Sequence, residues 1–421
     1  MRDHIQQTAW TEEGGSYSDF VMTSESDAKI TIDEGSTYEN PSTTEVNVER
    51  MAARIDYLAE AEYTCTDDNY SGAKVEITGA CIVNNLTAGS YLMKRVATTV
   101  DDTPNYLGDE TAEESGKGTN YVIDPWTVDK TEENIDSGFT IDGETGKGAA
   151  DLYGTWWSDD DASNPEWWAE KAGTPTAITV DGTTWQRIGY TLENTTAAAN
   201  SSKKYNTAVV FKAKFTPTGI SNYAAGNTFF ALGDYLFASM EDLMTYVYKD
   251  DFAKFDSQID ACTTWSDVET FAASLLDNDP SGYKTFLTSK AFGQSGTITS
   301  KDELKWSTYM LSECGYSAKL ETTYTITLDQ NDKVTAKILA QYGTRTYVDA
   351  TCYYTWWVRH ANDGDNDTNG VMEFATVRNN IYKLTVESVY SLGGYVPDDE
   401  NIVIDVYVKD WTLLNKETLD M

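Results

Sequence analysis

Apolar and polar residues alternate with a period of two in two stretches near the C-terminus. In the first, Tyr382, Leu384 and Val386 alternate with polar side chains, and the same alternation recurs over residues 402–408. This is the pattern of a β-strand with one buried face. The segment between them, 391–401, contains two glycines and a proline, which favour a chain reversal. The two stretches therefore predict a hairpin.

Similar patterns recur upstream and predict a mainly β protein. The further predicted strands cover 46–57, 75–83, 184–192, 207–217, 318–328, 333–342 and 347–358. In the first of these, Val46 and Val48 fall on the opposite parity from Met51 and the apolar residues after it. A phase change of this kind predicts a β-bulge near Glu49.

Two stretches of helical period interrupt the strands. Ser239 with Asp242, and Ser266 with Glu269, have the spacing of a capping box at a helix N-terminus. They predict a small helical insertion near 239–277.

A chain of 421 residues exceeds the usual size of one hydrophobic core, which predicts two domains. The best linker is the small, polar and aperiodic stretch 197–205. The predicted domains are therefore 1–198, and 199–421 with the helical insertion.

The formal net charge is −37, from 68 acidic and 31 basic residues. Phosphate repulsion argues against nucleic acid as a partner, and anionic lipid is disfavoured for the same reason. No apolar run reaches the roughly 18 residues of a membrane-spanning helix. These features favour a solvated surface outside the cell, and we expect any targeting segment to be absent from the exported chain.

Residues for catalysis or metal binding are sparse. The chain has two histidines, His4 and His360, and neither lies near a nucleophile elbow. Its five cysteines lack the CxxC spacing of a zinc site, and they are expected to be small buried residues. We predict neither enzymatic activity nor a cofactor.

One acidic turn resembles part of a calcium loop. Asp365, Asp367 and Asn369 occupy its positions 1, 3 and 5, but position 12 is Thr376, where a bidentate glutamate is needed. An Asx-rich turn without metal is the favoured interpretation.

The acidic, turn-rich stretch 98–175 contains two tryptophan pairs, Trp156 with Trp157 and Trp167 with Trp168. Stacked indoles bind sugar rings, but tryptophan is also enriched in loop anchors and subunit contacts. Glycan binding and partner contact are both open from the sequence.

Several stretches resemble the Mfa1-type fimbrillins of Bacteroidales, the structural subunits of type V pili. The similar stretches are VERMAARIDY at 48–57, TAGSYLMKRV at 87–96, TAVVFKAKFTP at 207–217, WWVRHAND at 356–363, MEFATVRNNIYKLTVESV at 372–389 and VYVKDW at 406–411. The block 377–386 is the most specific, and 98–185 and 218–316 contain no matching motif.

The resemblance implies two transthyretin-like β-sandwich domains and export as a lipoprotein. It also implies arginine-specific removal of an N-terminal strand, after which the vacated groove accepts a C-terminal strand of the next subunit. The groove would be lined by Val46, Val48, Met51, Ala53, Ile55 and Tyr57. The donor would be residues 411–421, with Trp411, Leu413, Leu414, Leu419 and Met421 as apolar anchors interrupted by Asn415 and Glu417.

The processing site is left open between two alternatives. Met1 stands near the processed end, or the alternating stretch 17–22 is the strand still to be removed. The first is the preferred interpretation, because Arg50 and Arg54 lie inside a predicted strand.

The function implied is that of a structural subunit of an outer-membrane-associated fimbria that supports adhesion or biofilm formation. Its partners would be copies of itself, accessory tip and anchor pilins, and host or bacterial surface ligands. The alternative is a monomeric surface lipoprotein that binds glycans through the tryptophan-rich loop.

Overall fold

The computed structural model describes residues 4–13, 16–24, 29–32, 34–84, 89–95, 122–125, 140–141, 144–145, 173–195, 206–275, 282–309, 344–360, 373–395 and 402–410. Within these residues the chain is mostly β-structure with few helices, as predicted. Its strands are β1 (Ile5–Gln6), β2 (Thr11–Glu13), β3 (Ser16–Ser18), β4 (Met22–Ser24), β5 (Val48–Arg50), β6 (Ala53–Leu58), β7 (Tyr63–Thr64), β8 (Lys74–Val83), β9 (Ser90–Tyr91), β10 (Thr140–Ile141), β11 (Glu144–Thr145), β12 (Thr176–Val180), β13 (Thr183–Thr191), β14 (Ala208–Thr216), β15 (Phe229–Leu232), β16 (Tyr235–Phe237), β17 (Thr344–Tyr347), β18 (Thr351–Trp357), β19 (Asn380–Val389) and β20 (Ile402–Asp410).

Among the described strands, the larger sheet has five, in the order β12-β13-β6-β19-β20. The hairpin predicted at the C-terminus is present, because β19 and β20 pair antiparallel from Asn380 opposite Asp410 to Val389 opposite Ile402. By contrast, β19 pairs parallel with β6, with Tyr382 opposite Ile55. The strand β6 therefore lies in the middle of the sheet, with β13 on one side and β19 on the other.

A second sheet contains four of the described strands, in the order β18-β14-β8-β7. Its central strand β14 is the predicted strand at 207–217, and Val209, Phe211, Ala213 and Phe215 are fully buried. The alternate residues Lys212 and Lys214 are half-buried. Alternation of this kind gives a strand one buried face and one polar face.

The apolar core lies between these two sheets. It joins alternate residues of β6, β14 and β19 with Tyr354 of β18 and Val75 of β8. Full burial of each such side chain contributes about 1.5–3 kcal/mol, so this core is the main source of stability in the sandwich.

The described strands do not divide at residue 198. The strands β6 and β8 precede the predicted boundary, while β14, β18 and β19 follow it, and both groups are paired in the same two sheets. One sandwich therefore contains strands from both predicted domains, 1–198 and 199–421. β13 and β14, the strands before and after the polar stretch 197–205, belong to the two sheets of this sandwich.

A helical unit follows β16, where an insertion was predicted. Its helices are α1 (Met240–Ala261), α2 (Trp265–Ser274), α3 (Tyr283–Ala291) and the single turn α4 (Trp306–Thr308). They surround a second apolar core that includes Leu243, Ile259, Tyr283 and Trp306. The unit extends beyond the predicted limit of 277, because α3 and α4 also belong to it.

The capping predictions for these helices had different outcomes. Ser239 caps α1, and its hydroxyl accepts a hydrogen bond from the Asp242 N–H at 3.1 Å, as predicted. The second cap is Thr264, two residues before the predicted Ser266. The side chain of Asp267 completes that capping box by accepting the Thr264 N–H at 2.7 Å. The backbone N–H groups of Thr263 and Thr264, which both donate to this carboxylate, lower the pKa of Asp267 to about 2.

Candidate assembly site

The described residues from 4 to 50 form an N-terminal arm that lies outside the two main sheets. Within the arm, β2 pairs with β3 and β4 pairs with β5, each as a two-stranded ribbon. Its first strand, β1, pairs with β9, with Ile5 opposite Tyr91. Isolated two-stranded ribbons are marginally stable at best, so the arm depends on its contacts with the sandwich.

The arm is held to β13 by an aromatic cluster around Tyr190. The ring of Tyr190 lies 6.1 Å from Trp10, 4.7 Å from Tyr17 and 4.8 Å from Phe20, measured between centroids. The guanidinium of Arg187 lies 5.1 Å from the Tyr17 centroid and 5.7 Å from that of Tyr190. We call Arg187 and Tyr190 the aromatic seat. Aromatic pairs of this geometry contribute about 0.5–1.5 kcal/mol each beyond burial.

A bend at Met51 and Ala52 joins the arm to β6. The Met51 N–H donates to the carbonyl of Val21 at 3.0 Å. From the other side, the Arg50 N–H donates to Oδ1 of Asn379 at 3.2 Å, and the Asn379 N–H donates to the Ala52 carbonyl at 2.9 Å. Both Met51 and Ala52 are fully buried. The end of the arm is therefore fixed between its own strand β4 and the turn that precedes β19.

Arg378, beside Asn379, supports the other attachment point of the arm. Its guanidinium forms an ion pair with Glu193 at 2.7 Å, and both side chains are fully buried. The same group donates to the carbonyls of Tyr91 and Leu92 at 2.6 Å and 3.1 Å. The Leu92 N–H in turn donates to the carbonyl of His4. Arg378 thus fixes the segment of Tyr91 and Leu92, to which the first described residues of the arm are hydrogen-bonded.

A third polar contact links the arm to the sandwich through Glu49 and Lys94. The Lys94 ammonium lies 2.9 Å from Oε2 of Glu49, with both side chains largely buried. Burial raises the pKa of Glu49, and the charge of Lys94 opposes that rise. The pair therefore joins β5 to the chain that follows β9.

The predicted groove strand 46–57 consists of two elements with different surroundings. Val46 is exposed and Val48 half-buried, and Val48 belongs to β5 of the arm. Met51, Ala53, Ile55 and Tyr57 are buried, the last three on the core face of β6. Both backbone edges of β6 are already paired, with β13 and with β19. β6 itself therefore offers no open edge to an added strand.

The other predicted site residues lie outside the described part of the chain. These are the donor residues Trp411, Leu413, Leu414, Leu419 and Met421, the loop residues Trp156, Trp157, Trp167 and Trp168, and the acidic-turn residues Asp365, Asp367 and Asn369. The description ends at Asp410, the last residue of β20. Among the described strands, β20 pairs with β19 alone and so lies at a sheet edge.

His360 and the described cysteines are packed within the fold. His360 is half-buried, and its Nδ1 lies 2.9 Å from the Tyr382 hydroxyl. Desolvation lowers the pKa of His360 to about 4. Cys65, Cys81, Cys262 and Cys352 are buried, as predicted, and these four described cysteines form no disulfide. Within the described ranges, no cluster of three or more His, Cys, Asp or Glu side chains is placed to hold a metal.

The C-terminal strands lie in a segment that matches a known protein family. Residues 345–417 match the family model for the C-terminal region of fimbrillin, described as the major fimbrial subunit protein type IV. This segment of the chain is similar to the C-terminal region of fimbrillins. The matched segment includes β18, β19 and β20, and with them Arg378 and Asn379, which secure the arm.

Similarity to solved structures is weak. This chain aligns with a crystal structure of a candidate cell adhesion protein from Parabacteroides distasonis at 11% identity and a TM-score of 0.32. The alignment covers 92% of this chain and 66% of the other, just under two thirds of its length. No curated protein matches the sequence. No helix in the described ranges is both long enough and apolar enough to cross a membrane.

Sequence reasoning located part of this site. The alternation at 17–22 falls in the arm, where it is divided between β3 and β4, and the block 377–386 contains both Arg378 and Asn379. The aromatic seat and Glu193 were missed, because their role depends on which segments meet across the fold. A basic residue and an aromatic residue three positions apart in a strand give no local signal of that role.

Proposed function

We propose that this fimbrillin-type protein is a structural subunit of a bacterial surface fimbria, in which copies of the chain join by exchange of a β-strand. The observation that carries the proposal is the N-terminal arm, which is attached to the sandwich by separable contacts. Its attachments are the two-residue pairing of β1 with β9, the aromatic seat, the Glu49–Lys94 pair and the bend at Met51. A segment held in this way can be replaced by a strand from another molecule.

The proposed processing site is the peptide bond between Arg50 and Met51. Arg50 is the last residue of β5, and Arg2 is the only other arginine before it. Cleavage at Arg50 would free β4 and β5 together, whereas cleavage at Arg2 would leave the arm in place. This supports the second alternative, in which the stretch 17–22 is removed with the arm.

The bend is folded, so cleavage requires local opening. The ribbon of β4 and β5 has no third described strand, and a segment with so few backbone pairings opens at low cost in free energy. A protease would act on the opened form. Departure of the arm would expose Arg187, Tyr190 and the free side of β9.

The proposed donor is the C-terminal tail, residues 411–421, of a neighbouring copy. It directly follows β20, which lies at the edge of the larger sheet. Backbone hydrogen bonds would supply affinity, and Trp411, Leu413, Leu414, Leu419 and Met421 would supply the apolar side chains. The transthyretin-like character of the fold, outer-membrane association, accessory tip and anchor pilins, surface ligands and biofilm formation belong to the same proposal.

The test compares wild-type protein with Arg50→Gln after addition of a trace of arginine-specific protease. Wild type should lose residues 1–50 and form ladders or filaments, whereas Arg50→Gln should keep the arm and stay monomeric. Arg2→Gln is the matched control and should behave as wild type, because that cut leaves the arm attached. N-terminal sequencing, SDS-resistant laddering and negative-stain microscopy give the readouts. Filaments formed by Arg50→Gln with its arm intact would refute the proposal.

A further inference from the structure

The aromatic seat has a specific chemistry that constrains what can replace the arm. Tyr190 is 7% exposed, and three aromatic side chains of the arm, Trp10, Tyr17 and Phe20, pack against its ring. Arg187 adds a cation near the rings of Tyr17 and Tyr190. Loss of the arm would leave a large ring and a guanidinium without these partners. Exposed rings beside a cation favour an incoming aromatic ring, because stacking and cation–π contacts are both available.

The tail offers one residue of matching chemistry. Trp411 is the only aromatic residue among residues 411–421. It directly follows the last residue of β20, and in both the arm and the tail a Trp-Thr pair is present, Trp10-Thr11 and Trp411-Thr412. The eleven residues of the tail span about 36 Å when extended, which is enough to reach into a neighbouring subunit.

We infer that Trp411 of one subunit occupies the aromatic seat of the next, in the place that the arm aromatics fill before processing. This inference rests on the proposed strand exchange and goes further, because it names the contact that determines specificity. The arm and the tail thus compete for one site. Trp411 is the anchor of the donor, and the aliphatic residues after it extend the contact.

The test uses fluorescein-labelled peptides of residues 411–421 and fluorescence anisotropy. The receptor is the protein ending at Lys409, cleaved at Arg50 and separated from its arm, so that it lacks a tail of its own. The wild-type peptide should bind the cleaved receptor and fail to bind the uncleaved one. Trp411→Ala in the peptide should weaken binding at least tenfold, and Trp411→Phe should restore part of it. Lys416→Ala is the control peptide and should bind within about twofold of wild type.

A second pair of measurements locates the site. Tyr190→Leu in the receptor should weaken the wild-type peptide at least fivefold but change the binding of the Trp411→Ala peptide by less than twofold. Arg187→Ala serves the same purpose if Tyr190→Leu fails to fold, as judged by its unfolding transition.

The outcomes separate this inference from the proposed function. Equal binding of the wild-type and Trp411→Ala peptides would overturn the inference and leave strand exchange by the tail intact. Equal loss for both peptides on the Tyr190→Leu or Arg187→Ala receptor would place Trp411 elsewhere and also overturn it. Failure of every tail peptide to bind the cleaved receptor would overturn both the inference and the assignment of the tail as donor.

Discussion

The side-chain oxygen of Asn379 accepts a hydrogen bond from the backbone N–H of Arg50 at 3.2 Å, across 329 positions of sequence. The backbone N–H of Asn379 donates to the carbonyl of Ala52 at 2.9 Å. Asn379 has a left-handed backbone with φ of +60°, which points both groups at the same bend. Asn379 lies in the segment 345–417 that matches the fimbrillin model. Its two hydrogen bonds therefore hold the bend at the proposed processing site in its folded form.

Asn379→Gly should speed cleavage after Arg50. Glycine accepts the left-handed backbone without strain, so the substitution removes the side-chain hydrogen bond and keeps the turn. A hydrogen bond of this kind contributes about 1 kcal/mol, which corresponds to roughly fivefold faster cleavage if local opening limits the rate. The measurement is the initial rate of arm release with an arginine-specific protease.

Asn222→Gly is the control for that variant. Asn222 is exposed and has φ of +62°, so the same change is made at a second left-handed position. Its cleavage rate after Arg50 should match wild type. A rate for Asn379→Gly equal to that of the control would contradict a closing role for the Asn379 amide.

Arg378→Met should destabilise the protein by about 3–5 kcal/mol, because it leaves the buried carboxylate of Glu193 without its partner. The double variant Arg378→Met with Glu193→Leu should recover part of this loss, since no unpaired buried charge remains. Urea unfolding gives both values.

Arg345→Met is the comparison variant, because Arg345 lies outside this network. Its guanidinium donates to the Gly233 carbonyl at 2.8 Å in an exposed hydrogen bond. It should cost less than about 1 kcal/mol. A cost for Arg378→Met as small as that for Arg345→Met would show that the pair with Glu193 is unimportant.

His360 should make stability fall as pH falls from 6.5 towards 4. Its folded pKa is lowered to about 4, so between these values the unfolded chain binds a proton that the folded chain does not. At about 1.4 kcal/mol per pKa unit, the imidazole accounts for about 3 kcal/mol of lost stability at pH 4. His360→Gln should flatten this part of the profile of unfolding free energy against pH.

The informative quantity is the difference in unfolding free energy between wild type and His360→Gln at each pH. The buried carboxyls of Glu49 and Asp56 have raised pKa values in both proteins, so their contribution cancels in this difference. Their raised values act in the opposite direction, since burial disfavours the charged forms. Parallel pH profiles for the two proteins would contradict the role given to His360.

Assembly should depend on ionic strength. Each subunit carries a formal net charge of −37, so like-charged copies repel one another at low salt. Screening shortens this repulsion to about 8 Å at 0.15 M salt. Light scattering after processing should therefore show several-fold faster growth in 150 mM than in 10 mM sodium chloride. Slower growth at the higher salt concentration would indicate that attraction between opposite charges drives the contact.

The sequence predicted individual strands better than it predicted their pairing. Alternation located β14 and β19, and the parity change near Glu49 corresponds to the break between β5 and β6. Local alternation reports which face of a strand is buried. It does not report the partner, so the parallel pairing of β6 with β19 had no signal in either segment.

The predicted boundary at residue 198 has no counterpart in the pairing of the described strands, for a related reason. The stretch 197–205 has a linker composition, but composition does not distinguish a connection between domains from a connection between two strands of one sandwich. The helix α3 was overlooked although Tyr283, Phe286 and Leu287 have helical spacing and are buried. The N-cap of α2 is Thr264 and not the predicted Ser266. The reason is that Asp267 completes the capping box in place of the glutamate of the usual pattern.

The most direct test of strand exchange compares the full-length chain with a version ending at Lys409, both processed with the same trace of arginine-specific protease. With removal of the arm confirmed in both, the full-length chain alone should form SDS-resistant ladders and filaments. Polymers from both versions would place the donor strand outside residues 410–421, and monomers from both would contradict assembly by strand exchange.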